Sequence, residues 1–276
     1  GSYAWNETEF NRWKYGDGVK NRAKLNAQLT ATRLETYQKQ SLIPGTDILY
    51  SNDNKTAMYM FNSFVFGDSK QVFNDDESIK DSAHLFDTYI DLIRVFNEIK
   101  NKGGVNNVVL DISTNGGGTI GVMMKLLSLI SKNNESDVHY VDMDTHQFAD
   151  AYTKVDINND KINDLEDCFG DDFNIFILTS DCSFSAANAF ACFASYENIC
   201  TVIGQTSGGG ECAVGIHYLP NGEYLYHSSN LHLGYYDKDI DVFNGFESGA
   251  QPTFEIKEVT YMYDIEYLNE NLVNYI

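Results

Sequence analysis

The sequence predicts an α/β fold. Three observations lead there. Short apolar runs of strand length recur along the chain. Segments with helical spacing separate them. Glycine-rich or serine-rich corners join strand to helix. In chain order, Gly1-Ser2 reads as an expression scar, so any leader or anchor upstream would not be visible in this sequence. Residues 5–40 are polar with apolar positions three to four apart (Trp5, Phe10, Trp13, then Leu25, Leu29, Leu34), which predicts one or two helices packing on something else. "LIPGT" (42–46) is a break. "AMYMFNSFVF" (57–66) reads as a strand. The clearest helix is predicted over 78–104, where Phe86, Tyr89, Ile93 and Phe96 recur at helical spacing and Lys100, Lys102 and Gly103 close it. "VNNVVLDI" (105–112) reads as a short buried strand, and Gly116 to Gly118 turn the chain into a helix at "VMMKLLSLI" (122–130). "VHYVDM" (138–143) and "FNIFILT" (173–179) are further strands, followed by a helix from about Ser185 to Tyr196. "TVIG" (201–204) is again a strand, and "LPNGE" (219–223) marks a hairpin.

Composition narrows the function. The 276 residues are 43% hydrophobic and 13% aromatic, enough for a packed core. The net charge of −21 argues against nucleic acid or an anionic membrane surface as partner, since either needs a basic footprint. No run approaches the ~20 apolar residues of a membrane-spanning helix. Cys168, Cys182, Cys192, Cys200 and Cys212 are odd in number and show no CxxC pairing, so they read as mostly buried thiols.

Chemistry concentrates at two strand-to-helix corners. In "DISTNGGG" (111–118), glycines after a buried strand let backbone N–H groups approach a ligand closely, and the next helix adds its positive dipole end. Such a corner holds a phosphate or an oxyanion, or is a plain glycine turn. It lacks the lysine of a P-loop and the spacing of a dinucleotide site. In "TSDCSFSAANAF" (179–190), Ser180 ends the strand, Ser183 is placed as an N-cap, and Ser185 lies at the helix start beside Ala186 and Ala187. A nucleophilic serine on a sharp elbow needs small neighbours of this kind. The plain alternative is that all three serines only cap and turn.

A separate motif is "VDINNDKINDLED" (155–167). Asp156, Asn158 and Asp160 alternate as in the first half of a calcium loop, and Glu166 is placed to close it. Lys161 stands where such loops carry glycine, and an acidic solvated turn is the competing reading. No cofactor is required; a structural calcium is the one ion the sequence suggests.

Together, "LDISTNGGG", "ILTSDCSFSAANAFACFA" and "VIGQTSGGG" resemble the C-terminal-processing (tail-specific) serine peptidases, most closely the tricorn-like branch. The resemblance spans about residues 58–256. It implies a crotonase/ClpP-like spiral of ββα units, with a helical N-terminal appendage over 1–47, a catalytic core over 48–262 and a C-terminal tail over 263–276. It implies Ser185 as nucleophile, the Gly117 and Ala186 N–H groups as oxyanion hole, a peptide or protein substrate, and an extracytoplasmic or secreted location. The departures concern the base. The lysine of the Ser–Lys branch would fall at Gly209, and the glutamine that orients it near Ala213. The early-strand histidine of the tricorn branch is missing, with Met60 nearest its place, while Glu247 falls on the supporting glutamate. The family's arginine in the first corner is replaced by Ser113.

An unactivated hydroxyl needs a base within hydrogen-bond reach. His84 and His139 read as structural or exposed. His217 and His227 flank the hairpin after the glycine loop, and His217 is the candidate base. A base upstream of Gly1 is a second option. A catalytically silent peptide-binding module on the same scaffold is a third. A crotonase-like acyl-CoA enzyme would share the fold, but it needs no serine elbow and would want a basic cluster for phosphates.

Overall fold

The structure is a computed structural model that describes residues 17–237 and 239–276. The predicted positions Trp5, Phe10 and Trp13 lie outside the described residues. In chain order the elements are helix α1 (Asp17–Lys39), strands β1 (Leu49–Tyr50) and β2 (Thr56–Met60), the one-turn helix α2 (Ser69–Val72), helix α3 (Thr88–Lys102), strand β3 (Asn107–Asp111) and helix α4 (Ile120–Ile130). There follow strands β4 (Ser136–Asp142), β5 (Gln147–Thr153) and β6 (Asn174–Thr179), helix α5 (Ala186–Tyr196), and strands β7 (Thr201–Gly204), β8 (Cys212–Tyr218), β9 (Tyr224–Asp237), β10 (Val242–Gly245) and β11 (Phe254–Glu255). Helices α6 (Val259–Met262) and α7 (Ile265–Leu272) close the chain.

The main sheet runs β1-β2-β3-β6-β7-β11, parallel throughout except for β1 at one edge. Strands β2 and β3 are buried at every position, as expected of a parallel sheet covered on both faces. Side-chain alternation builds the two cores. Tyr59, Val108, Leu110, Ile175 and Ile177 point to one face, where Leu92 and Phe96 of α3, Leu126 of α4 and Phe190 and Phe193 of α5 meet them. Met58, Val109, Phe176 and Leu178 point to the other, where Leu29 and Tyr37 of α1 pack with Met262, Leu268 and Leu272 of the last two helices. The result is a three-layer α/β arrangement in which both chain ends contribute one layer.

A second, antiparallel sheet runs β10-β9-β4-β5, with β8 also paired to β9. The β8–β9 hairpin leaves Val214, Ile216, Tyr218, Tyr224 and Tyr226 exposed.

Two predicted elements are shorter in the structure. Strand β2 ends at Met60, and beyond it Phe64 forms only an isolated bridge to Gly118. The long helix begins at Thr88, because Asp87 caps it: its carboxylate accepts the N–H of Tyr89 at 3.0 Å and of Ile90 at 3.2 Å, and takes the Gly67 N–H at 2.9 Å. His84 therefore lies in a single 3₁₀ turn (Ala83–Leu85) ahead of it. Asp87→Ala strips three N–H groups of their acceptor, two of them at one helix end. It is expected to cost about 1–2 kcal/mol, measured by urea unfolding.

Candidate active site

The elbow after β6 is held by its own serines. Ser183 donates its hydroxyl to the Ile112 carbonyl at 2.8 Å and accepts the Ser180 N–H at 3.1 Å. Ser180 donates to the Ser113 carbonyl and accepts the Cys182 N–H at 3.0 Å. Ser183 is thus not the N-cap of α5 that its position suggested. It ties the elbow to the end of β3, since the turn brings its hydroxyl back over Ile112 rather than forward over the helix. The cap position is Ser185, and its side chain makes no capping bond. Its backbone sits at φ 56, ψ −123. A non-glycine residue held there stores of order 1–3 kcal/mol, and such strain gathers at functional sites. Ser185 is half-buried, and among the described residues its hydroxyl has no hydrogen-bond partner. What fixes it is backbone: Ser185 N–H donates to Gly209 O at 2.9 Å and Phe184 N–H to Asn115 O at 3.0 Å.

The first corner abuts this elbow. Gly117 has φ +102, and a Cβ there would stand 2.7 Å from Phe184 O and 2.8 Å from Ala186 N and Ser185 Cβ, so only glycine allows the approach. The Ala186 N–H opens α5 and has no intrahelical acceptor, and it lies at the positive dipole end. The Gly117 N–H is engaged by Asn115 Oδ1 at 2.9 Å, while Asn115 Nδ2 donates to Phe61 O at 3.0 Å. Fully buried Asn115 therefore fastens the glycine turn to the end of β2.

An arginine from α1 enters the first corner, where Ser113 stands. Arg33 reaches into the corner with its Nε 2.8 Å from Asp111 Oδ2, its Nη2 2.8 Å from Ser113 Oγ and its Nη1 2.8 Å from Thr114 Oγ1. The Ser113 hydroxyl in turn bonds Asp111 Oδ1 at 2.6 Å and lies 2.6 Å from the Tyr263 hydroxyl. Burial is the strongest influence on Arg33 and works against its charge, but Asp111, Tyr263 and Tyr37 together outweigh it and the pKa is raised. Closer to the chain start, Arg22 pairs with Asp181 at 3.1 Å and donates to Gly208 O at 3.3 Å. An open groove of about 760 Å³ lies between Arg22, Ala23 and Asn26 of α1 and Thr114, Gly116 and Phe184 of the two corners.

The loop between β10 and β11 carries Glu247 to the same place. Its Oε2 accepts the N–H groups of Gly210 at 3.0 Å and Glu211 at 3.2 Å, one residue past the carbonyl that holds Ser185. Glu211 Oε2 accepts the Glu247 N–H at 2.7 Å, and Glu211 Oε1 lies 2.7 Å from His232 Nδ1. His232 is therefore the histidine wired to this loop. No local pattern points to it, because it stands 21 residues from its partner on the far side of the hairpin. His217 is exposed on β8 opposite Leu225 and makes no hydrogen bond among the described residues. Cys212 Sγ lies 3.3 Å from His232 Nε2 and 3.9 Å from Nδ1, off the lone-pair axis of either nitrogen. Burial, then Glu211 and Glu247, push the thiol pKa up, so Cys212 is not an activated thiolate.

In the acidic loop, Asp156 Oδ2 accepts the Lys161 N–H at 3.0 Å, Asn158 the Asp160 N–H at 2.9 Å and Asp160 the Ile162 N–H at 2.7 Å. Glu166 donates its own N–H to Asp164 at 2.9 Å. Buried Asp167 braces the loop from inside, accepting from Ile157 at 2.9 Å and Asp164 at 3.1 Å.

A strained serine between a parallel strand and a helix, facing a glycine turn, is the arrangement that serine hydrolases use to present a nucleophile. Residues 75–253 match the family model of Peptidase family S41, and the chain belongs to that family. No curated protein sequence matches the chain. Among solved structures it is similar to a photosystem II D1 C-terminal processing protease, at 15% identity over 85% of this chain and 50% of that one, with a TM-score of 0.54. A lipoprotein from Streptococcus agalactiae matches at 15% identity over 90% of this chain and 75% of that one, TM-score 0.55. Mature CPAF matches at 12% identity over 83% and 53%, TM-score 0.51. The chain thus spans about half the length of the first and third of these.

Proposed function

We propose that the chain is a serine endopeptidase that cleaves peptide bonds through an acyl-enzyme on Ser185. The observation that carries this is the backbone of Ser185 itself: a strained, half-buried serine whose hydroxyl is not spent on capping. An extended peptide would lie in the groove between α1 and the elbow, with its scissile carbonyl over Ser185. The oxyanion would take the Ala186 N–H, and the Gly117 N–H once it is shared with Asn115. Glu247 would hold the glycine loop that positions Ser185. The base is proposed to be an imidazole: His217 if the hairpin folds over the site, His232 if the Glu211 pair is drawn toward Ser185.

Family membership supports the finer readings: the crotonase/ClpP-like spiral, a tail-specific substrate and an extracytoplasmic location. No described helix is long and apolar enough to cross a membrane. The test is fluorophosphonate labelling read by intact mass. A single adduct that maps to Ser185 is expected. Its absence on folded protein, together with saturable peptide binding, would establish the silent binding module instead.

Calcium at Asp156, Asn158, Asp160 and Glu166 also stands as a proposal. The ion would have to displace the three backbone N–H bonds those side chains now accept. A melting temperature that rises on adding calcium, and no longer does in Asp156→Ala/Asp160→Ala, supports it. Identical melting in calcium and chelator removes it.

A further inference from the structure

A second polar cluster lies away from the elbow, where the hairpin β4–β5 meets the end of α5. Asp137 and His139 are two residues apart on β4 and share one face, and Asp150 on β5 pairs directly with His139. His139 Nε2 is 3.4 Å from Asp137 Oδ2, and its Nδ1 is 3.8 Å from Asp150 Oδ1. One ligand atom from each of the three lies within 4.8 Å of the others. Two ligand atoms on one zinc ion sit roughly 3–4 Å apart, given bonds of about 2.0–2.2 Å. The two short contacts use opposite ring nitrogens, and one ion takes only one of them, so a carboxylate must rotate to bring all three ligand atoms from within 4.8 Å to that spacing.

The helix end closes over it. Tyr196, in the last turn of α5, packs at a tilt against Tyr235 of β9, whose ring centroid is 5.9 Å from that of His139. Glu197 ends the helix, and its carboxyl lies close enough to Asp137 to feel its charge. Helix C-termini favour a cation through the macrodipole. The independent sign is unsatisfied valence: Asp137 Oδ1, His139 Nδ1 and Glu197 Oε1 are buried and have no hydrogen-bond partner in the protein. Buried polar atoms without partners are rare, and here two belong to the cluster itself and the third to the helix end beside it. Among the described residues no lysine or arginine ion pair reaches Asp137 or Glu197.

We propose that Asp137, His139 and Asp150 bind one divalent transition-metal ion of the zinc or manganese class. One imidazole with two carboxylates suits these ions better than the all-oxygen preference of calcium or magnesium. The ion would pin β4 to β5 beside the end of the helix that begins at Ser185. The role is structural, so it stands or falls independently of the peptidase reading.

The test uses the full chain, stripped with chelator and titrated with zinc chloride by calorimetry and thermal melting. Binding of one zinc per chain is expected, with a melting temperature raised by a few degrees at about 100-fold excess over Kd. Asp137→Asn and His139→Gln should each weaken binding at least about tenfold. Cys212→Ser should bind as the parent does, which separates this site from the neighbouring thiol and His232. The fold of each variant is checked by its melting in chelator, where Asp137→Asn should melt no lower than the parent because one of several clustered carboxylates is neutralised. Melting that zinc leaves unchanged, or zinc binding that survives His139→Gln and is lost in Cys212→Ser, overturns the proposal.

Discussion

Ser185→Ala is expected to lower kcat/KM for any peptide the parent cleaves by about 10⁴–10⁶-fold, and Ser185→Gly by as much, while the two move stability differently. Alanine must adopt the same φ 56, ψ −123 backbone and keeps its strain. Glycine adopts it freely. Relief of roughly 1–3 kcal/mol, less about 0.5–1 kcal/mol for the greater entropy of an unfolded glycine, leaves Ser185→Gly more stable than Ser185→Ala by about 1 kcal/mol. Urea unfolding of both variants reads this directly. The comparison separates a strained nucleophile from a serine that only turns the chain. A turn residue under no strain would lose stability on replacement by glycine, and that result would remove the physical basis for choosing Ser185. Gains of this sign at catalytic positions reflect a trade of stability for activity.

The two corners were legible in the sequence because each is local. A buried apolar strand, a run of glycines or serines and a small-residue helix are all written within a dozen residues. Parallel β2, β3, β6 and β7 were legible for the same reason, as apolar runs buried on both faces. Strands β5 and β10 were not. "QFADAYT" has no aliphatic run and is mostly exposed, and what makes it a strand is its ladder to β4, a tertiary fact. The long helix was read ten residues too early because Phe86 happens to fall on the helical period. Asp87 is the stronger signal in hindsight, an acidic cap just before "TYI". The partners of the site were the least legible. His232 meets Glu211 across a hairpin, and Arg33 meets Ser113 across 80 residues, and no spacing rule joins residues that far apart.

Arg33 carries the second large effect. Its side chain is 4% exposed and that of Asp111 is 0%, and they are 2.8 Å apart. Removing one partner of such a pair strands the other charge in the interior, which costs about 3–5 kcal/mol. Arg33→Met keeps most of the side-chain volume and is expected to lower the melting temperature by roughly 5–12 °C for a chain of this size. Adding Asp111→Asn should return most of that loss, because the stranded carboxylate is gone and the remaining amide still accepts from Ser113. Double-mutant coupling of 2 kcal/mol or more, on the order seen for residues in one network, is the expected reading. Simple additivity would show that the pair contributes only packing. The consequence for the site follows from where Asp111 stands. It holds Ser113 by both its N–H and its hydroxyl at the start of the turn that ends in Gly117. A mobile Asp111 loosens the glycine corner against Ser185, so Arg33→Lys, which retains charge but not the three-pronged fork, should lower kcat more than it lowers stability. Such a split would make α1 part of the site's scaffold.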